Sequence, residues 1–127
     1  MTEKQLAAMA IDAMQKAYAP YSGYTVGAAL LTGSGRVFTG CNIENASFTP
    51  TVCAERTAFF KAIYDGKREF TAIAVVGGKE GEPDGTAFPC GVCRQVMAEF
   101  CKEDFRVITP EGAYTFGEIL PHAFGGI

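Results

Sequence analysis

Two extended runs, Tyr24 to Leu31 and Arg36 to Ile43, are separated only by Thr32-Gly33-Ser34-Gly35. So short a link cannot hold a crossover, and the two runs must fold back on each other as an antiparallel hairpin. Helical periodicity precedes it. Gln5 stands three residues after Thr2 as in a capping box, and Leu6, Ala10, Ala13, Met14 and Ala17 share one face up to the break at Ala19-Pro20-Tyr21-Ser22-Gly23. Beyond the hairpin, Cys53 to Ile63 reads as a helix stopped near Gly66, Phe70 to Val76 as a buried strand, and Gly77 to Gly85 as a mobile loop. A third helix from about Gly91 to Lys102 follows Pro89. Strands at Phe105 to Thr109 and near Tyr114 to Phe116 then flank the turn Pro110-Glu111-Gly112. The order α-β-β-α-β-α-β-β predicts a three-layer α-β-α domain of the α/β class around a five-stranded mixed sheet. The third helix allows the strands at Phe70 and Phe105 to run parallel, whereas the short last turn makes the final strand antiparallel to its predecessor. At 127 residues, positions 1–127 are expected to form a single domain.

Charge and hydropathy narrow the function classes. Lys and Arg number 11 against 14 Asp and Glu, and the only adjacent basic pair is Lys67-Arg68, so no basic face for nucleic acid is expected. No apolar run approaches the roughly 20 residues that cross a bilayer, and Thr2-Glu3-Lys4-Gln5 is too polar to open a signal peptide. The expectation is a cytoplasmic protein with no membrane partner. In that reducing compartment the five cysteines, an odd count, point to metal binding or catalysis rather than to a disulfide framework.

Three of those cysteines fall at helix starts. Cys53-Ala54-Glu55-Arg56 opens the second helix and Pro89-Cys90-Gly91-Val92-Cys93 the third. Free N–H groups and the partial positive charge of a helix N-terminus stabilise thiolates. Three thiolates leave one tetrahedral position of a zinc ion open to water, as catalysis requires. Glu55, two residues from Cys53, can take a proton from that water and return it. The alternative is a closed structural zinc with Cys41, Cys101 or His122 as fourth ligand. Cys101 lies eight residues beyond Cys93 on the same helix, about 12 Å along the axis and out of reach of a shared ion. Cys41 and His122 stay open, but neither accounts for Glu55. Cys41 and Cys101 otherwise read as buried packing residues.

The C-A-E and P-C-x-x-C motifs resemble those of the zinc-dependent nucleoside and nucleobase deaminases, whose signature and mechanism are a known worked case. The similarity to the cytidine deaminase family extends over nearly the whole chain. It takes in Pro20-Tyr21-Ser22, Val26-Gly27-Ala28-Ala29, Gly40-Cys41-Asn42-Ile43-Glu44-Asn45-Ala46, Cys53 to Ala58, Pro89 to Gln95 and Leu120 to Phe124. Cys rather than His at the first ligand resembles the small, homotetrameric members. The resemblance implies hydrolytic deamination of cytidine and deoxycytidine for pyrimidine salvage. One zinc ion per subunit would sit on Cys53, Cys90 and Cys93, with Glu55 moving the proton and Arg56 drawing charge from the thiolates. It further implies Asn42 and Glu44 on ribose hydroxyls, Tyr24 against the pyrimidine, the Ala46 backbone at the base, and Phe124 reaching a neighbouring subunit's site. A deaminase of another aminopyrimidine nucleoside such as blasticidin S shares the motifs; Asn42-Ile43-Glu44-Asn45 favours cytidine. A noncatalytic zinc-stabilised module is the alternative from another class. Tyr24 stands where the family usually has Phe, and Phe48 where Tyr is frequent, which removes a polar ribose contact there. The Gly77 to Phe88 connection is a few residues longer than usual.

Overall fold

A computed structural model describes residues 1–84 and 87–125. Four helices, α1 (Glu3–Met14), α2 (Ala54–Tyr64), α3 (Gly91–Phe100) and α4 (Phe116–Ile119), surround five strands, β1 (Tyr24–Thr32), β2 (Val37–Cys41), β3 (Phe70–Lys79), β4 (Arg106–Thr109) and β5 (Gly112–Thr115). The sheet order is β2-β1-β3-β4-β5. β1 is antiparallel to β2 and to β3, β3 is parallel to β4, and β4 is antiparallel to β5. The hairpin and the antiparallel final strand are as the connection lengths require, and the parallel pair is as the intervening helix allows.

Alternation along the strands feeds two cores. One face of the sheet, with Ala29, Ala72, Ala74 and Val76, packs on Leu6, Ala10 and Met14 of α1. The other, with Ala28, Leu30, Ile73 and Val75, packs on Ala54, Ala58, Phe59 and Ala62 of α2, Met97 of α3, and Phe116 and Ile119 of α4. Among the described residues, helix α1 is therefore the one helix on its side of the three-layer α-β-α arrangement.

Two glycines set how closely the helices seat. A β-carbon on Gly40 would lie 2.5 Å from both the Ala54 carbonyl oxygen and the Ala58 amide nitrogen. On the opposite face, one on Gly27 would lie 2.0 Å from the Ala10 carbonyl oxygen. Backbone meets backbone at both positions, so any side chain there would lift a helix off the sheet.

Several boundaries differ from the sequence reading. The Thr2–Gln5 capping box forms as expected, but α1 ends at Met14 rather than Ala17. Lys16 and Ala17 close it with tighter bonds to Ala13 and Met14, and Tyr18 is drawn away to pair with Asn42 and Glu44. β3 runs on through Gly77 and Gly78 to Lys79, pairing with Val26, Thr25 and Tyr24. The start of the expected loop is therefore strand, and a side chain at Gly78 would collide with the Glu82 carbonyl. Residues 85 and 86 of that connection lie outside the described residues. The final strand ends at Thr115, not Phe116. Thr115 and Glu118 form a second capping box, so Phe116 opens α4 and is buried beneath it.

Candidate metal centre and substrate cavity

Cys53 is the N-cap of α2 and Cys90 the N-cap of α3, both with extended backbone and neither with a side-chain capping bond. Their carbonyls accept the first helical bonds, from Thr57 and Arg94, while both thiols turn away from the helix amides toward each other. Cys93, three residues into the same turn as Cys90, projects back toward the helix start. The sulfurs of Cys53, Cys90 and Cys93 all lie within 4.8 Å of one another. Cys53 and Cys90 are 3.6 Å apart, as are Cys90 and Cys93. Tetrahedral Zn–S bonds of about 2.3 Å put sulfurs roughly 3.8 Å apart, so the donor set fits zinc. Among the described residues no fourth Cys, His or carboxylate ligand joins the cluster. Cys41 instead turns its thiol to the Lys16 carbonyl, 3.4 Å away, and the Cys101 thiol is pushed up by burial.

Electrostatics follow the geometry. The Cys53 thiol is pulled down to about 5, chiefly by a hydrogen bond from Cys93 and then by Arg56, against the opposing effect of burial. Cys93 moves up as the donor of that bond. The Arg56 Nη2 donates to the Cys53 sulfur and to the Thr51 carbonyl, each at 3.5 Å. Its Nε is buried without a hydrogen-bond partner among the described residues. Glu55 is almost wholly buried, at 3% exposure. Burial lifts its carboxyl to about 7 and the Cys53 charge adds to the rise, while its own backbone amide and Arg56 work the other way.

Cys53, Glu55 and Cys90 line one side of a cavity of about 240 Å³. Tyr24, Val26, Val52 and Phe88 wall it, and Asn42 borders it. Tyr24 and Asn42, singled out in the sequence, lie along this cavity, and so do Val52 and Phe88, which the sequence reading missed although they stand just ahead of Cys53 and Pro89-Cys90; their adjacency to the motifs was the available signal. Asn42 is also an architectural residue. Its Oδ1 accepts from the Val26 amide at 2.8 Å and its Nδ2 donates to the Tyr24 carbonyl at 2.9 Å, leaving one N–H of the amide beyond those bonds.

Glu44, Ala46 and Phe124 are not among the described residues lining that cavity. The Glu44 carboxylate accepts from the amides of Tyr21 and Ser22, at 2.9 and 3.1 Å, and from the Ser22 hydroxyl. These donors hold its pKa below the usual carboxylate range, with the Ser22 hydroxyl contributing most. Ala46 is exposed in the loop before α2, and the Phe124 ring is 77% exposed.

A mixed sheet whose helix starts gather three sulfurs beside a cavity lined by a buried carboxyl is the construction of the zinc-dependent hydrolytic deaminases. Comparison with known proteins narrows the class. Residues 1–109 match the cytidine and deoxycytidylate deaminase zinc-binding region. The cytidine deaminase of Sporosarcina psychrophila is 46% identical over 98% of this chain and 92% of its own length. That of Halalkalibacterium halodurans is 48% identical over 98% and 95%. The crystal structure of the Burkholderia pseudomallei cytidine deaminase superposes with a TM-score of 0.88 at 48% identity, covering 98% of this chain and 100% of that one. The chain belongs to the cytidine deaminase family.

Proposed function

We propose that the protein deaminates free cytidine and deoxycytidine by hydrolysis, giving uridine or deoxyuridine and ammonia in pyrimidine salvage. The observation that carries this reading is a cluster of three sulfurs, two of which line one small cavity together with the buried Glu55. Zinc held by Cys53, Cys90 and Cys93 supplies the Lewis acidity that makes a water a competent nucleophile near neutral pH. The protein's residues supply the rest. Glu55, with its carboxyl near 7, gives up and regains a proton at similar cost. It takes one proton from water as the water oxygen bonds to C4 and delivers it to N3 of the cytosine, then takes the second proton from the resulting C4 hydroxyl and passes it to the departing amine. The C4–N bond breaks as the C4 carbonyl forms. Arg56 offsets charge that three thiolates place on the metal. Tyr24, Val26 and Phe88 offer flat apolar surface to a pyrimidine, and the remaining N–H of Asn42 is available to a ribose hydroxyl.

Glu44, Ala46 and Phe124 are assigned to substrate through assembly: a homotetramer with shared sites brings Phe124 to a neighbour's cavity. Support comes from exposed apolar surface. Phe60 at 50% and Tyr64 at 95% exposure form an outward patch with Ile43 on α2 and the adjoining loop, of the kind monomers seldom present. The partners are then a nucleoside and copies of this chain, with no nucleic acid, in the cytoplasm. No helix of the described residues is long and apolar enough to cross a membrane. The test is to mix zinc-loaded protein with cytidine and follow ammonia and uridine. Stoichiometric appearance of both is expected, and no conversion would overturn the proposal.

A further inference from the structure

Arg94, directly after the last sulfur ligand, has no part in the chemistry above, yet it touches three elements of the site. Its Nε donates to the Pro89 carbonyl at 2.8 Å and its Nη1 to the Ile119 carbonyl at 2.7 Å. The guanidinium carbon lies 5.6 Å from the centre of the Phe88 ring. That ring walls the cavity and rests on Tyr114, with centroids 5.1 Å apart. The Pro89 carbonyl belongs to the peptide leading into Cys90, so holding it fixes the plane from which Cys90 projects. Ile119 ends α4, whose last carbonyls lack helical partners and accept a cation readily.

We infer that Arg94 is a positioning residue: one planar guanidinium, anchored on α4, sets both the Phe88 wall of the substrate cavity and the peptide that delivers Cys90 to the metal. The inference rests on the deaminase reading for the role of the cavity, and on the sulfur cluster alone for the role of Cys90. Only arginine presents diverging N–H donors on a rigid plane that also lies against an aromatic ring. A lysine can keep a charge near Phe88 but cannot hold both carbonyls.

The test uses the zinc-loaded protein and two readouts, zinc release to a chromogenic chelator and steady-state kinetics with cytidine. Arg94→Ala should release zinc about tenfold faster than wild type. With zinc in excess, its KM should rise about tenfold while kcat stays within about threefold. Arg94→Lys should release zinc as fast as Arg94→Ala yet keep KM within about threefold of wild type. A Phe105→Leu variant, altered in the core beside Phe59, controls for lost stability. Wild-type zinc release from Arg94→Lys would overturn the inference, as would equally fast release from Phe105→Leu at the same loss of melting temperature. If Arg94→Ala does not fold, Arg94→Lys against Phe105→Leu decides. Failure of wild type to convert cytidine would sink the deaminase reading and the KM part of the inference, while zinc release still judges the Cys90 part.

Discussion

Replacing Gly40 by alanine should cost more function than stability. The added methyl would sit 2.5 Å from the Ala54 carbonyl oxygen and the Ala58 amide, where ordinary contact begins at 3.4 Å. Both obstacles are backbone of α2, so no rotamer change relieves them and the helix must move outward by about 0.9 Å. Overpacking of this kind costs about 1–3 kcal/mol. The functional effect is larger because α2 carries Cys53 and Glu55, while Cys90 and Cys93 ride on α3. A shift of that size stretches the 3.6 Å Cys53–Cys90 separation beyond the roughly 3.8 Å that shared tetrahedral ligation allows. Misplacement by about 1 Å can lower turnover about 100-fold.

Gly27→Ala is the matched control. It meets α1 at 2.0 Å, a harder clash on the face that bears no ligand. Zinc per subunit after dialysis against a weak chelator, and cytidine turnover at a temperature where both variants are folded by circular dichroism, separate the two. Gly40→Ala should lose zinc and most activity, and Gly27→Ala should lose stability while keeping both. Wild-type zinc retention and turnover in Gly40→Ala would refute the argument that the seating of α2 sets the ligand geometry. Equal zinc loss in Gly27→Ala would reduce the effect to general destabilisation.

Glu55→Gln should keep its zinc and lose about 10²–10⁴-fold in turnover, measured as uridine formed against metal content; an active variant would remove Glu55 from proton transfer. Arg56→Gln should reduce turnover more than zinc content, and an unchanged rate would discard its charge-balancing role. Cys53→Ser removes a thiolate but supplies a hydroxyl able to cap α2. It should bind less zinc yet leave the metal-free protein about 1 kcal/mol more stable, read from urea midpoints in chelator, and a less stable metal-free variant would count against this. Folding lowers the Glu44 pKa, so its stabilising contribution is complete above the unfolded carboxylate pKa and is lost as pH falls through the folded value. Urea midpoints of wild type and Glu44→Ala should therefore differ at pH 7 and converge toward acid; a constant gap would show that the carboxylate charge is not what the turn uses.

What could be read from the sequence was local. The Thr2–Gln5 capping box, the Gly-containing hairpin and the cysteines at two helix starts each depend on residues a few positions apart. What could not be read depends on distant partners. Asn42 looks like a ribose ligand in its motif, but two of its bonds go to β1 backbone some 16 and 18 positions away. Glu44 likewise holds a turn 22 and 23 positions earlier. Gly77 and Gly78 carry the composition of a loop, yet they lie in β3 because β1 pairs with them. The Thr115–Glu118 capping box was legible and lost to the strand-like alternation of Tyr114 and Phe116. Ala46 and Phe124 stand exposed, and no contact among the described residues carries either of them to the cavity lining.

Helix capping separates the structural elements from the functional ones. α1 and α4 begin with Thr hydroxyls that satisfy free amides, each completed by a Gln or Glu three residues on. α2 and α3 begin with cysteines that make no capping bond, a loss of about 1 kcal/mol at each start relative to a good cap. A side chain that capped those amides could not also hold a metal, so the cysteine sulfurs cluster as a donor set only because the two starts go uncapped. The two active helices thus carry a local instability that metal binding offsets, and zinc occupancy and the order of the α2 and α3 starts become one equilibrium. Arg56 belongs to the same balance. Two helix starts contribute only partial positive charge toward three sulfurs, and the guanidinium beside Cys53 supplies the full charge they lack.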